Sequence, residues 1–334
     1  VSSIPIPGSA RIALAALAVV PAALAYPWHS TRDYWLIGVA VVAVIVLFGW
    51  WRGLHFTTIL RRRLAIMSRR SNPTGEADIQ SVVAAKTTAL VRIGPSSADD
   101  AVLPLQLIAR YLDRYGIRAD KVRITSRDNA SDASRRETWI GITVSAADNL
   151  PALQARSSRI PLHETAEVVA RRLADHLREI GWEANAIASD DVPRWLTANA
   201  RESWRAVQRG TSDFVAAYQI VVDADLPATL EAIRSHPARE TCTALEIARS
   251  GEQDTVAVAC AFLTDAPPEG APPVDGLIPQ RGNQAPALAA LDLLSTQRLD
   301  GHTAEPDGLL ATLDWPTPVT GAHRAVRTEA ASSA

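Results

Sequence analysis

Lysine is almost missing from this chain: of 34 basic residues among 334, only Lys86 and Lys121 are not arginine, and Met67 is the single methionine. With alanine abundant, that bias reflects GC-rich codon usage rather than chemistry. Neither lysine follows a glycine, so there is no G-x-x-x-x-G-K-[ST] loop, and G-x-G-x-x-G and G-x-S-x-G are absent too. An ATPase of the phosphate-loop type and a hydrolase with a nucleophile elbow are thereby excluded. Two cysteines cannot build a disulfide framework, and a reducing cytosol suits them. The seven histidines are scattered. His163-Glu164 opens a helix, but the residue four after His163 is Glu167, so the two-histidine face of a zinc site is missing. No basic domain or aromatic-interleaved basic patch points to nucleic acid.

Acid is scarce at the start. Residues 1–70 carry eight arginines against Asp33 alone, so the remainder must net -9 to give the overall -2. The same region holds the long apolar runs. Residues 12–28 are apolar, with Pro21 inside the run, where membrane helices tolerate it. Residues 34–51, YWLIGVAVVAVIVLFGWW, form an uncharged run of 18. At about 1.5 Å per residue this is just enough for a hydrocarbon core about 30 Å thick. The expectation is a two-helix transmembrane hairpin with an external loop at 29–33. Arg52, Arg61, Arg62, Arg63, Arg69 and Arg70 follow with no acid before Glu76, which puts the inner face of the membrane, both termini and the body of the chain on the cytoplasmic side. Arg11, a short apolar run and Ala23-Leu24-Ala25 also resemble a signal peptide with its cleavage site. Either way the second span is oriented by its arginines.

Trp28 and Trp35 belong to an outer aromatic belt, and Trp50 and Trp51 to an inner one. Leu54–Arg70 reads as a basic amphipathic lead-out helix, within 52–75, whose stripe is Phe56, Leu60, Leu64 and Met67. Its Arg61, Arg62 and Arg63 would meet anionic lipid at the cytoplasmic leaflet or a partner's helix. These twelve residues, Arg52 included, are the candidate membrane-interface and partner-binding positions.

Residues 76–315 read as an α+β body with a mixed sheet. Strands are expected at Thr87–Ile93, Ile117–Ser126, Thr138–Ser145, Trp182–Ala188 and Asp213–Asp223. Thr241–Ala248 and Thr255–Leu263 form a hairpin. Helices are expected at Asp99–Tyr115, Glu164–Ile180, Leu226–His236 and Pro286–Gln297. The order strand, helix, hairpin, helix, strand thus occurs twice, from 87 to 188 and from 213 to about 313, which would suit two split βαβ halves. Residues 264–286 are proline-rich, a wrapping segment or a mobile loop, and 316–334 read as a disordered tail. Across the hairpin an even register would expose one buried face, so an odd one is expected, which turns Cys242 and Cys260 to opposite faces as free thiols.

Asp223-Ala224-Asp225 ends a β-rich run. Two carboxylates there could hold a divalent metal on a sugar nucleotide's phosphates, which would make the chain a membrane-anchored, glycosyltransferase-like enzyme. The local alternative is that Asp225 caps the helix beginning Leu-Pro. Asp190-Asp191 before Pro193 invites the same capping explanation.

Two closely spaced spans, WWRG at the second exit, the segment WWRGLHFTTILRRRL and an α/β body of this size together resemble the EccE family. These are membrane components of the mycobacterial type VII (ESX) secretion machine, and the likeness is greatest to the ESX-3 version. The resemblance implies a non-enzymatic, cofactor-free subunit in the inner membrane, at the periphery of a complex with EccB, EccC and EccD. EccC would supply the energy for export. The family brings no catalytic residues to place on this chain.

Overall fold

The computed structural model describes residues 50–51, 54–71, 86–97, 102–130, 132–156, 161–188, 200–251 and 253–315, with Leu17, Val20, Trp35, Gly38, Val41, Val192 and Thr317. The chain forms two compact units, Val1–Pro73 and Thr74–Ala334. Most of both expected spans, the external loop, Asp190-Asp191 and the expected tail lie outside the described residues. Among the described residues no helix is long and apolar enough to cross a membrane. Leu17, Val20, Trp35, Gly38 and Val41 have helical backbone.

In the first unit, β1 (Trp50–Trp51) pairs antiparallel with β2 (Leu54–His55), and α1 runs over Phe56–Ser71. The expected helical end of the second span is therefore replaced, at Trp50 and Trp51, by a short strand pair. Tryptophan is comfortable in extended backbone.

In the second unit, β3 (Lys86–Ser96) is followed by α2 (Leu105–Ala109), a 3-10 turn (Arg110–Leu112) and β4 (Asp113–Arg114). The single long helix expected over Asp99–Tyr115 is thus broken at both ends. Pro104 stands immediately before α2, and Val102, at helical spacing from the buried Leu105, is 53% exposed. Proline disfavours helical backbone in the residue ahead of it. At the other end Tyr115 and Gly116 both have positive φ, 59° and 72°, the two-residue turn that joins β4 to β5 (Ile117–Asn129).

β5 and β6 (Asp132–Ser145) make one long hairpin. Both strands reach further into the polar stretch between them than expected, Arg127–Asn129 closing β5 and Asp132–Glu137 opening β6. Four charges of that stretch are matched: Arg127 Nε donates to Glu240 Oε1 at 2.7 Å, Arg136 Nε to Asp128 Oδ1 at 2.6 Å and Arg92 to Glu137 at 2.9 Å. Opposite charges on neighbouring strands stabilise a ladder that hydrophobic alternation does not announce. Next come α3 (Ala146–Arg156), where Pro151 hides the helical pattern in the sequence, α4 (Leu162–Glu179) and β7 (Trp182–Ile187). Ala166, Val169, Leu173 and Leu177 of α4 are buried as its spacing requires, whereas Ile180, just past its end, is 46% exposed.

The remainder comprises β8 (Arg201–Glu202), β9 (Val207–Arg209), β10 (Asp213–Ile220), α5 (Leu226–Ser235), β11 (Glu240–Ser250), β12 (Gln253–Thr264), β13 (Leu277–Pro279), α6 (Gln284–Leu291), β14 (Thr303–Ala304) and α7 (Leu309–Thr312). The sheet runs β7-β3-β6-β5-β11-β12-β10-β9-β8. Its pairings among the described residues are antiparallel, not mixed as expected. The reason is topological: β3 and β5 are joined by a helical crossover, but β6 lies between them, so neither meets a parallel neighbour.

The first half places its four long strands as fourth, first, third, second. Across the β5–β11 seam the second half mirrors this with β11, β12 and β10, but β9 and β13 share the place beyond β10. One face of the sheet carries α2, α4, α5 and α7 over a core including Val91, Val122, Ile142, Leu173, Leu230 and Trp315. The opposite face of the second half is closed by α6 and the chain after it, through Leu288, Leu291 and Leu299. The proline-rich stretch wraps rather than projects. Val221 N–H donates to Gly276 O (3.0 Å), Gln280 N–H to Ala217 O (3.1 Å) and Gly282 N–H to Trp204 O (2.8 Å). Gly282 has φ +69°, and a Cβ there would stand 2.3 Å from the Trp204 ring, so only glycine fits.

Candidate functional site

Among the described residues, the buried charges Lys121, Arg123 and Glu246 gather at the seam between the two halves. Arg123 on β5 and Glu246 on β11 are direct cross-strand partners. Both are buried, and so is Lys121, two residues before Arg123. Glu246 Oε2 accepts from Arg123 Nε at 2.8 Å and from its terminal nitrogen at 2.5 Å, with Lys121 Nζ at 3.3 Å. Glu246 Oε1 accepts from Leu299 N–H at 2.9 Å and lies 3.0 Å from His302 Nε2. The cations also hold the covering chain. Arg123 donates to the carbonyls of Ala290, Asp292 (3.2 Å) and Gln297 (2.7 Å), and Lys121 donates to Gln297 O. Beside them Asp120 takes Lys86 and Arg298, each at 2.9 Å. Both lysines of the chain therefore serve this one seam.

Burial, with the neighbouring Arg123 charge, pushes the Lys121 ammonium down to about 7 despite Glu246. Burial alone would raise the Glu246 carboxyl. The His302 hydrogen bond, the Arg123 and Lys121 charges and the Leu299 N–H together hold it well below the carboxylate range. Asp120 Oδ2 beside the cluster is held by the Lys86 charge without a hydrogen bond, whereas both Glu246 oxygens are taken by donors, which makes the cluster a clamp. It ties the 290–302 strap to both halves and explains why α6 ends at Leu291 rather than reaching the expected Gln297. The carbonyls of Ala290 and Asp292 are taken by a guanidinium instead of by helical N–H groups. A cavity of about 180 Å³ adjoins the strap, with an alanine floor and Gln219, Gln280, Asn283 and Asp300 around it. The sequence signal for the clamp was faint: two charges, Lys121 and Arg123, alternating with Val122 and Ile124 as on any half-solvated strand.

The twelve interface candidates have the following places. Trp28 and Arg52 lie outside the described residues. Trp35 is helical and exposed, and Trp50 and Trp51 form β1. Phe56, Leu60, Arg61, Arg62, Arg63, Leu64 and Met67 all lie on α1. Leu60, Leu64 and Met67 are 56%, 56% and 63% exposed, while Ile66 is buried and Arg62 half-buried.

The acidic pair is brought together, but by the backbone. Asp223 Oδ1 accepts the Asp225 N–H at 3.0 Å, and Asp225 occupies the N-cap of α5 without a side-chain cap bond. Asp225 thus has the expected cap position without the cap bond, and Asp223 closes the turn ahead of the helix. Among the described residues no group of three or more His, Cys, Asp or Glu side chains could hold a metal. His163 Nε2 lies 3.3 Å from Glu167, one helical turn on. The hairpin has the odd register: Cys242 faces Ala261 and Cys260 faces Thr243. The thiols enter different cores, and burial, with Cys242 nearby, pushes the Cys260 thiol well up.

A family model described as "Putative type VII ESX secretion system translocon, EccE" matches residues 132–220, from β6 to the end of β10. The chain is 60% identical over 329 residues to the ESX-3 secretion system protein EccE3 of Mycobacterium tuberculosis (strain CDC 1551 / Oshkosh), covering 98% of this chain and 97% of that protein. The protein of the same description in Mycobacterium tuberculosis strain H37Rv is also 60% identical over 329 residues. EccE3 of Mycolicibacterium smegmatis is 48% identical over 299 residues, 89% of this chain and 92% of that protein. Likeness of this degree along nearly the whole length establishes that the chain belongs to the EccE family, in its ESX-3 form.

Proposed function

We propose that this chain is a non-catalytic structural and assembly subunit of an inner-membrane type VII secretion complex. It sits at the periphery and contacts the complex's membrane and cytosolic subunits, EccB, EccC and EccD. The observation that carries the reading is the end-to-end match to ESX-3 secretion system proteins, 98% of this chain on 97% of the relative. Likeness of this extent, running in the same order along nearly the whole of both chains, favours a shared role. The buried seam clamp fits a body selected for rigidity. In this reading the two apolar runs are the membrane anchor, both termini are cytoplasmic, and energy for export comes from the ATPase partner.

The test is a mild-detergent pull-down of the full chain from its native membrane. Recovery together with an FtsK-like ATPase and a many-spanned subunit is expected, and the Asp223→Ala variant should recover them equally. Recovery alone, with a divalent metal or a nucleotide sugar that Asp223→Ala abolishes, would overturn the reading in favour of a transferase.

A further inference from the structure

The stripe on α1 faces the wrong way for an ordinary packed helix. An amphipathic helix of a globular protein buries its apolar stripe and exposes its charges. Here Leu60, Leu64 and Met67 are more than half exposed, and the buried position is Ile66, on another side of the helix with half-buried Ile59 and Arg62. The exposed arginines Arg61 and Arg63 border the stripe on its two flanks.

Charge decides what covers such a face. The 16 residues of α1 contain five arginines and no acid. A partner's protein surface carries both signs and would be matched by both. A surface of one negative sign is matched by arginine alone, and an anionic leaflet is one. Spanning is excluded, since a helix of this length reaches about 24 Å and its central arginines would sit in hydrocarbon. We infer that α1 lies flat in the interface of an anionic bilayer, with Leu60, Leu64 and Met67 inserted at the headgroup–acyl boundary and Arg61 and Arg63 on lipid phosphates. Such helices sit about 5–10 Å deep. The inference rests on the membrane location proposed above, but not on any protein partner.

The test places an environment-sensitive fluorophore on Leu64→Cys, on Met67→Cys and on the opposite face at Ala65→Cys. The native thiols are buried and do not compete. The full chain is reconstituted in nanodiscs of phosphatidylcholine alone or with one-quarter phosphatidylglycerol. The expected result is a blue-shifted, several-fold brighter signal at 64 and 67 with phosphatidylglycerol, quenched by nitroxide-bearing lipid. Probes at 65 should not be quenched, and Arg61→Gln with Arg63→Gln should reverse the effect. Water-like probes at both 64 and 67 in anionic discs would overturn the inference. So would equal quenching in neutral discs, or shielding that develops only when other secretion subunits are bound. A normal pull-down accompanied by any of these outcomes would leave the subunit reading intact while removing the lipid one.

Discussion

Glu246→Gln is the most direct perturbation of the seam. The side chain keeps its shape and loses one charge. Its two oxygens have separate duties: Oε2 receives Arg123 and Lys121 from the first half, and Oε1 receives Leu299 and His302 from the strap. An amide has only one acceptor end. If its NH2 faces β5 it meets the donors of Arg123, and if it faces the strap the Leu299 N–H is orphaned. In both cases two buried cations lose their carboxylate. Breaking a buried pair in this way costs about 3–5 kcal/mol. A body of this size melts about 2–4 °C lower for each kcal/mol lost, so a fall in Tm of roughly 10 °C is expected.

The location of the damage is as informative as its size. Hydrogen exchange of the full chain in detergent should show the Leu299 amide and the 290–302 strap losing protection first, with β5 and β11 following. Replacing the whole set with Glu246→Leu, Arg123→Leu and Lys121→Met should recover much of the global loss, since apolar groups of similar volume commonly substitute for buried ions. It should not restore strap protection, because the carbonyls of Ala290, Asp292 and Gln297 then lose their donors. A Glu246→Gln protein melting within about 1 kcal/mol of the parent, with the strap equally protected, would refute the clamp.

Two further outcomes follow from the same packing. Lys121 binds its proton less tightly folded than unfolded, so between about pH 7 and the ordinary lysine range the unfolded chain holds more protons and stability rises with pH. Urea midpoints should climb across that window in the parent and lose this rise in Lys121→Met; parallel profiles would refute it. Cys242 and Cys260 lie in opposite cores, so a thiol reagent should find neither in the folded chain and both after denaturation, and an oxidised Cys242–Cys260 monomer would contradict the register.

What the sequence disclosed depends on where each covering element comes from. Helix α4 and the β11–β12 hairpin were readable because their partners are near in the chain and leave periodic burial. The cysteine register followed from the same alternation. The charged ends of β5 and β6 were not readable, because Arg127 finds Glu240, over a hundred residues on, and no local pattern encodes that. Residues 105–112 misled for a different reason: Leu105, Ile108 and Leu112 have helical spacing and are buried, but the proline before them and the turn at Tyr115-Gly116 break the helix into short pieces.

The clamp was hidden most completely. Lys121, Val122, Arg123 and Ile124 alternate as a strand with one wet face, and the apolar residues were placed correctly by that rule. The wet face is then covered by a strap from residues 290–302, which brings few charges of its own to the carboxylate and mainly carbonyl groups to the cations. A strand face can be assigned as polar from its own residues, but whether it is solvated depends on distant chain. Buried arginine and lysine are tolerable here only because Glu246 stands across the seam and the strap supplies acceptors. For a subunit expected to hold neighbours in fixed places, the consequence is specific. The two halves cannot slide along β5 and β11 without separating a carboxylate from two desolvated cations, so the seam resists the one motion that its ladder of exchangeable hydrogen bonds would otherwise permit.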